Sequence, residues 1–121
     1  MILLDTNILI EVLKGNSLIV DKLVSEQRYA ISVVCAMELI FGARDRTEVK
    51  KIEQALSQLQ CYHITSSISR TALELVRNYS KSHGLGIPDA LIAATAIIEE
   101  LPLLTLNTKD FKYISNLSLC D

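Results

Sequence analysis

Apolar residues along this chain fall into two patterns. The first is a set of short runs: Ile2-Leu3-Leu4, Tyr29-Ala30-Ile31, Cys61-Tyr62-His63-Ile64 and Leu103-Leu104-Thr105-Leu106. Compact apolar runs bounded by polar residues predict strands covered on both faces, as in a parallel sheet. The second pattern is recurrence at three- and four-residue spacing, which predicts helices. Asn7 to Lys14 reads as a short helix stopped by Gly15-Asn16, and Ser17 opens an amphipathic piece with Leu18, Ile19, Leu23 and Val24 inward. Ser32 caps a helix from Val33 to Ala43, apolar nearly all round, whose one charged residue is Glu38. Thr47 to Gln60 is a surface helix with Val49, Ile52, Leu56 and Leu59 on its inner face. Ser66 or Ser67 caps a longer helix striped with Ile68, Ala72, Leu75, Val76 and Tyr79, ending near His83-Gly84. Ile87-Pro88 is expected to be extended, because the residue before proline is pushed out of the helical region. Asp89 then begins a helix from Ala90 to Glu100, Asn107 to Phe111 is a turn, and Leu117 to Cys120 is a short edge strand. Strands alternating with helices indicate an α/β protein with a parallel sheet.

Composition narrows this picture. A chain of 121 residues suits one domain, 1–121, able to bury an ordinary core without staples. Half the residues are hydrophobic but only 5% are aromatic, so that core is built from Leu, Ile, Val and Ala. Twelve basic against 14 acidic residues give a net charge of -2, which excludes coating nucleic acid by bulk electrostatics. Cys35, Cys61 and Cys120 lack zinc-type spacing and read as small apolar residues in a reducing compartment. The N-terminal run carries Asp5, Asn7 and Glu11 without a basic region before it, so no signal peptide is expected. The most apolar stretch, Ala90 to Leu106, is broken by Glu99, Glu100 and Pro102, so no membrane span is expected either. A cytoplasmic protein is the expectation.

Four acids occupy comparable places. Asp5 follows the first strand, Glu38 sits in an apolar helix, Asp89 opens a helix after a Gly/Pro loop, and Asp110 follows the last core strand. Each has an ordinary alternative. Asp5 and Asp89 can serve as helix caps, Glu38 can be the solvent line of its helix, and Asp110 can sit in an Asx-type turn begun by Asn107. Their coincidence carries the other reading, because the carboxyl ends of parallel strands line the crevice where ligands bind. Two unit charges about 6 Å apart at an effective dielectric of about 20 repel by roughly 3 kcal/mol. Carboxylates so gathered must be partly protonated or share a cation. Around Asp5, Glu38 and Asp89 there is no nearby Lys or Arg, and only Lys109 adjoins Asp110. Hard oxygen ligands without clustered His or Cys favour Mg²⁺ or Mn²⁺ over zinc. His63 and His83 lie outside these segments and read as ordinary strand-end and helix-end residues.

Leu3 to Ile10 (LLDTNILI), Ser32 to Ala43 (SVVCAMELIFGA), Ile87 to Ile97 (IPDALIAATAI) and Leu103 to Phe111 (LLTLNTKDF) resemble, in order and spacing, the signature segments of PIN-domain nucleases. More narrowly they resemble the VapC-type toxins of toxin–antitoxin pairs. The resemblance implies a three-layer α/β/α fold about a central parallel sheet of four to five strands, and a metal-dependent ribonuclease. It further implies that Asp5, Glu38, Asp89 and Asp110 gather to bind one or two divalent ions. Asn107 stands where some relatives carry a metal-binding Asp, and an amide there offers an oxygen but no charge. Thr6, Asn7 and Thr105 resemble supporting polar residues, and a homodimer and a cognate antitoxin are the implied partners besides RNA. A free-standing RNA-processing nuclease and a catalytically inactive PIN-fold binding module are the alternatives. A haloacid-dehalogenase-like phosphatase is disfavoured because its second Asp would be Asn7. A response-regulator receiver is disfavoured because Thr65-Ser66-Ser67 stands where it needs an Asp.

Overall fold

Leu3 and Leu4 point to opposite faces of the first strand, as consecutive strand residues must. Both are shielded, at 0% and 2% exposure, and Ala30 and Ile31 in the second strand repeat the pattern. Adjacent residues buried in this way mean a sheet covered on both faces, the layering that the short apolar runs imply. The computed structural model describes residues 1–23 and 27–120. Its strands are β1 (Ile2–Leu4), β2 (Tyr29–Ser32), β3 (Gln60–Tyr62) and β4 (Leu103–Leu104), and its helices α1 (Thr6–Leu13), α2 (Ser17–Val20), α3 (Val33–Phe41), α4 (Arg46–Leu56), α5 (Ser66–His83) and α6 (Ile87–Ile98). The strands pair in parallel in the order β3-β2-β1-β4.

That order decides where a ligand can bind. From β1 the chain builds outward through β2 to β3, then returns to add β4 on the other side of β1. The reversal puts a topological switch point between β1 and β4, the place where open α/β sheets form a ligand crevice at the strands' carboxyl ends. Asp5 leaves β1 into this crevice, and the segment from Thr105 to Asp110 leaves β4 into it. Helix α6, with Ala90, Ile92, Ala93, Ala94 and Ala96 buried, packs on α3, α5 and β2. Its small side chains let it lie close to those neighbours, which carries Asp89 in beside the strand ends.

Several boundaries differ from the sequence expectation. Leu18 is 75% exposed because α2 is a single turn, with room for one buried side chain, Ile19; Leu23 is half-buried against the core, and Val24 lies outside the described residues. The helix expected to reach Gln60 ends at Leu56, and Gln60 instead starts β3 by pairing with Ala30, which leaves His63 and Ile64 beyond the strand. Thr65, rather than Ser66 or Ser67, caps α5 by accepting from the Ile68 amide at 3.2 Å. Ile87 and Pro88 are not extended but form the first turn of α6, where proline's missing N–H costs no helical hydrogen bond. Helices α3 and α6 stop two residues before the expected Ala43 and Glu100, at Phe41 and Ile98. The strand expected through Leu106 stops at Leu104, since Thr105 and its successors turn into the crevice. The expected edge strand is a single parallel bridge, Leu103 to Leu119. No helix among the described residues is long and apolar enough to cross a membrane.

Candidate active site

Asp5 is the pivot of the crevice. Its amide still donates to the Leu104 carbonyl (2.9 Å), so the backbone stays in the ladder while the side chain turns to the strand end. It is also the N-cap of α1, with Oδ1 accepting from the Thr6 amide at 2.8 Å. Oδ2 accepts from the Thr105 hydroxyl at 2.8 Å, which joins the ends of β1 and β4. Capping and a place in the site thus coexist in one residue. Asn7 locks the same junction from the other side. Its amide nitrogen donates to Thr105 Oγ1 (3.3 Å), and its carbonyl oxygen accepts from the Leu106 amide (3.2 Å).

Glu38 lies on an exposed line of α3, as the solvent-face alternative requires, yet it is tied to the crevice. The Thr6 hydroxyl donates to Glu38 Oε1 at 2.8 Å, so Thr6 holds two carboxylates, Asp5 through its amide and Glu38 through its hydroxyl. Asp89 is not the cap of its helix. Gly86 holds that place without a side-chain bond, and Asp89 is the third residue of α6. Asp110 closes a turn of 3₁₀ helix (Thr108–Asp110), its amide donating to the Asn107 carbonyl at 3.0 Å. That turn is made by backbone, and the Asn107 side chain does not cap it. Asn107 is instead fixed through its amide, which donates to Thr105 Oγ1 at 3.0 Å. Thr105 therefore meets Asp5, Asn7 and Asn107 through one buried hydroxyl.

The acids act on one another. Burial pushes the Asp89 carboxyl up to about 6, and the charges of Asp5, Glu38 and Asp110 add to the rise. Burial likewise raises Asp5 against the lowering effect of its Thr105 and Thr6 bonds, with Glu38 and Asp110 adding repulsion. Among the described residues the ion pairs are Lys14–Glu11 and Arg44–Glu48, and neither includes any of the four acids. Nor are any three His, Cys, Asp or Glu side chains among them grouped closely enough to hold a metal as they stand. The donor set itself, all hard oxygen and close enough to perturb one another's protonation, suits Mg²⁺ or Mn²⁺. Asp5 is held at both oxygens, whereas Glu38 and Asp110 are exposed and can turn toward it.

Cys35 is fully buried beneath this site, its thiol donating to the Leu4 carbonyl at 3.6 Å. Burial pushes it up to about 12, so it stays protonated and is no nucleophile. Cys35 is thus the small buried residue that the sequence suggests, whereas the aromatic group of Tyr79, His83 and Tyr113 did not stand out there. The i,i+4 spacing of Tyr79 and His83 was the available signal for the latter.

The PIN-domain family model matches residues 2–117. Ribonuclease VapC10 of Mycobacterium tuberculosis is 39% identical over 121 residues, spanning 97% of this chain and 90% of that protein. A toxin–antitoxin complex from Klebsiella pneumoniae superposes with a TM-score of 0.81 at 33% identity, covering 97% of this chain and 95% of that one. VapBC2 from Rickettsia felis, bound to a DNA fragment from its promoter, gives a TM-score of 0.81 at 29% identity and covers 99% and 98%. Matched by the PIN-domain family model over residues 2–117 and 39% identical to Ribonuclease VapC10, the chain belongs to the PIN-domain family, among its VapC-type members.

Proposed function

We propose that this chain is a divalent-metal-dependent endoribonuclease, the toxin of a toxin–antitoxin pair, working in the cytoplasm. The observation that carries the reading is the mutual repulsion of Asp5, Glu38, Asp89 and Asp110 with no cationic side chain paired to any of them among the described residues. Such a cluster is suited to holding Mg²⁺ or Mn²⁺ through these four carboxylates, with the Asn107 amide as a further oxygen. The chemistry such an ion supplies when bound is acidified water, a polarised phosphate and charge relief at the leaving oxygen. The chain's own residues provide the frame. Thr6 and Thr105 orient Glu38 and Asp5, and Asn7 fixes the Thr105 turn against α1.

The antitoxin reading is supported by the complexes in which the solved relatives occur, and by the surface next to Glu38. A groove of about 580 Å³ runs from Glu38 past Ile10, Leu13 and Leu39 to Arg44 and Lys51. Nearby on α3, Met37 is 62% and Phe41 92% exposed, an apolar face that water leaves unsatisfied. A protein strand or helix seated there would cover it and close off Glu38.

The test is cleavage of single-stranded RNA by the purified chain. Cleavage is expected with Mg²⁺ or Mn²⁺ and not in excess chelator. Undiminished cleavage in chelator sinks the metal dependence, and metal binding without cleavage favours an inactive binding module. A smaller loss is expected for Thr105→Val, which keeps the shape but leaves Asp5 Oδ2 without its donor. Groups that orient ligands typically cost about 10–100-fold when removed. Cleavage rates for Thr105→Val within that range, with the fold intact by circular dichroism, are the expected result.

A further inference from the structure

Three rings meet at the surface where α5 ends. His83 lies nearly parallel to Tyr113, with centroids 4.1 Å and planes 16° apart. Tyr79 touches both, 5.0 Å from Tyr113 and 5.7 Å edge-on to His83. Tyr79 and Tyr113 are half-buried against the core, whereas His83 is exposed. Two rings are therefore seated and the third is offered to solvent, its Nδ1 sharing a 2.8 Å hydrogen bond with Ser82 Oγ that sets the ring's orientation.

The cluster stands beside the acidic crevice by construction of the chain. Gly84, in the left-handed conformation at φ 72°, turns the backbone directly after His83, and buried Leu85 anchors the turn through its amide to the Tyr79 carbonyl at 3.3 Å. Gly86 then starts α6, whose third residue is Asp89. From the other side, Tyr113 follows Asp110 by three residues and is held between buried Phe111 and Ile114. The charges of Asp89 and Asp110 both reach the Tyr113 hydroxyl, adding to the rise that burial causes.

We infer that the His83–Tyr113 stack is a platform for one base of a single-stranded RNA whose backbone passes the four carboxylates; this rests on the ribonuclease reading. A net-negative chain with an acidic crevice gains little from bulk attraction to a polyanion. A π-face holds an unpaired base without needing charge, tolerates any sequence, and favours single strands over duplex, whose bases are already stacked. A ring already held by a neighbour and a hydrogen bond loses little freedom when the base arrives. The ordinary role for the same contact is to fasten the end of α5 to the C-terminal segment.

The two roles separate in one experiment. Binding of a fluorescein-labelled single-stranded RNA to the full chain is followed by anisotropy in Ca²⁺, together with oligonucleotides in which one abasic nucleotide is walked along the strand. His83→Ala is expected to weaken binding by about fivefold or more, the low end of what removing a base-stacking ring costs. His83→Phe, which keeps a π-face and loses the imidazole nitrogens, is expected to bind like the unmodified chain. One abasic position should cost the unmodified chain a similar factor and cost His83→Ala nothing further. The platform is overturned if His83→Ala lowers the melting temperature yet binds within about twofold of the unmodified chain, the scatter expected of unconnected sites. It is overturned equally if His83→Phe binds as weakly as His83→Ala, or if the unmodified chain binds no single-stranded RNA. RNA bound in the expected pattern but left uncut in Mg²⁺ and Mn²⁺ would remove the nuclease reading and leave the platform standing.

Discussion

Asp5→Asn is expected to abolish RNA cleavage while leaving the fold at least as stable as before. The two halves of this result have one cause. Asp5 is 6% exposed, at the end of a buried strand, and its charge is opposed by burial and by the neighbouring acids. An amide of the same shape removes that cost. It still offers a carbonyl oxygen to the Thr6 amide, but its NH₂ group faces a Thr105 oxygen that already accepts from Asn7 and Asn107, so that bond is lost, at about 1 kcal/mol against the relief of burial and repulsion. Stability should therefore hold or rise, in contrast to the usual destabilisation by a buried substitution. Activity should fall by more than the roughly 100-fold at which loss of an orienting group ends, because a charged ligand itself is gone. Glu38→Gln and Asp89→Asn should do the same. Measured melting temperatures together with cleavage rates check it, and undiminished cleavage by Asp5→Asn would falsify the site. Asn107 bears on a finer point. If its amide contributes to a second ion, Asn107→Ala should lower activity most at limiting metal, and Asn107→Asp should raise metal affinity.

The placement of the candidate residues could largely be read from the chain because they are acids at element ends. Asp5 after Ile2-Leu3-Leu4 and Asp110 after Leu103-Leu104 mark strand exits, and strand exits of a parallel sheet share one side by geometry. Glu38 was conspicuous as the one charge in an apolar helix. What could not be read were the joints between distant segments. The Thr105 hydroxyl reaches Asp5 across 100 residues and Thr6 reaches Glu38 across 32, and neither spacing leaves a periodic trace. Pro88 misled for a different reason. Its effect on the preceding residue argues for extended backbone, but the first turn of a helix tolerates proline, and packing of α6 decides between the two. Leu18 misled because amphipathic spacing gives a face but not a length, and α2 is too short to bury a stripe. The His83–Tyr113 stack joins α5 to the C-terminal segment, so half of its signal lay thirty positions away.

Stability should depend on pH and metal together, and the sign follows from Asp89 and Asp5. Both carboxyls titrate above their ordinary value of 3.8 in the folded chain, Asp89 at about 6. Between the unfolded and folded values the native state holds more protons, so these groups favour folding fully below about 3.8, and that contribution is lost as pH rises through about 6. Asp89 is only half-buried, so after allowance for solvent screening the loss is worth about 1–2 kcal/mol. A dication among the carboxylates favours their charged forms and should reverse the penalty. Adding Mg²⁺ or Mn²⁺ is therefore expected to raise the melting temperature at pH 7.5 by about 3–8 °C and to do far less at pH 5, where protons compete for the same oxygens. Cleavage should rise across the same interval as Asp89 deprotonates. Because carboxylates elsewhere have their own acid limb, the informative quantity is the difference between the unmodified chain and Asp89→Asn at each pH. In Asp89→Asn the metal-free loss between pH 5 and 7.5 should shrink and the metal-induced shift should nearly vanish. Equal metal shifts in the two proteins, or none in either at pH 7.5, would mean that these carboxylates do not hold the ion.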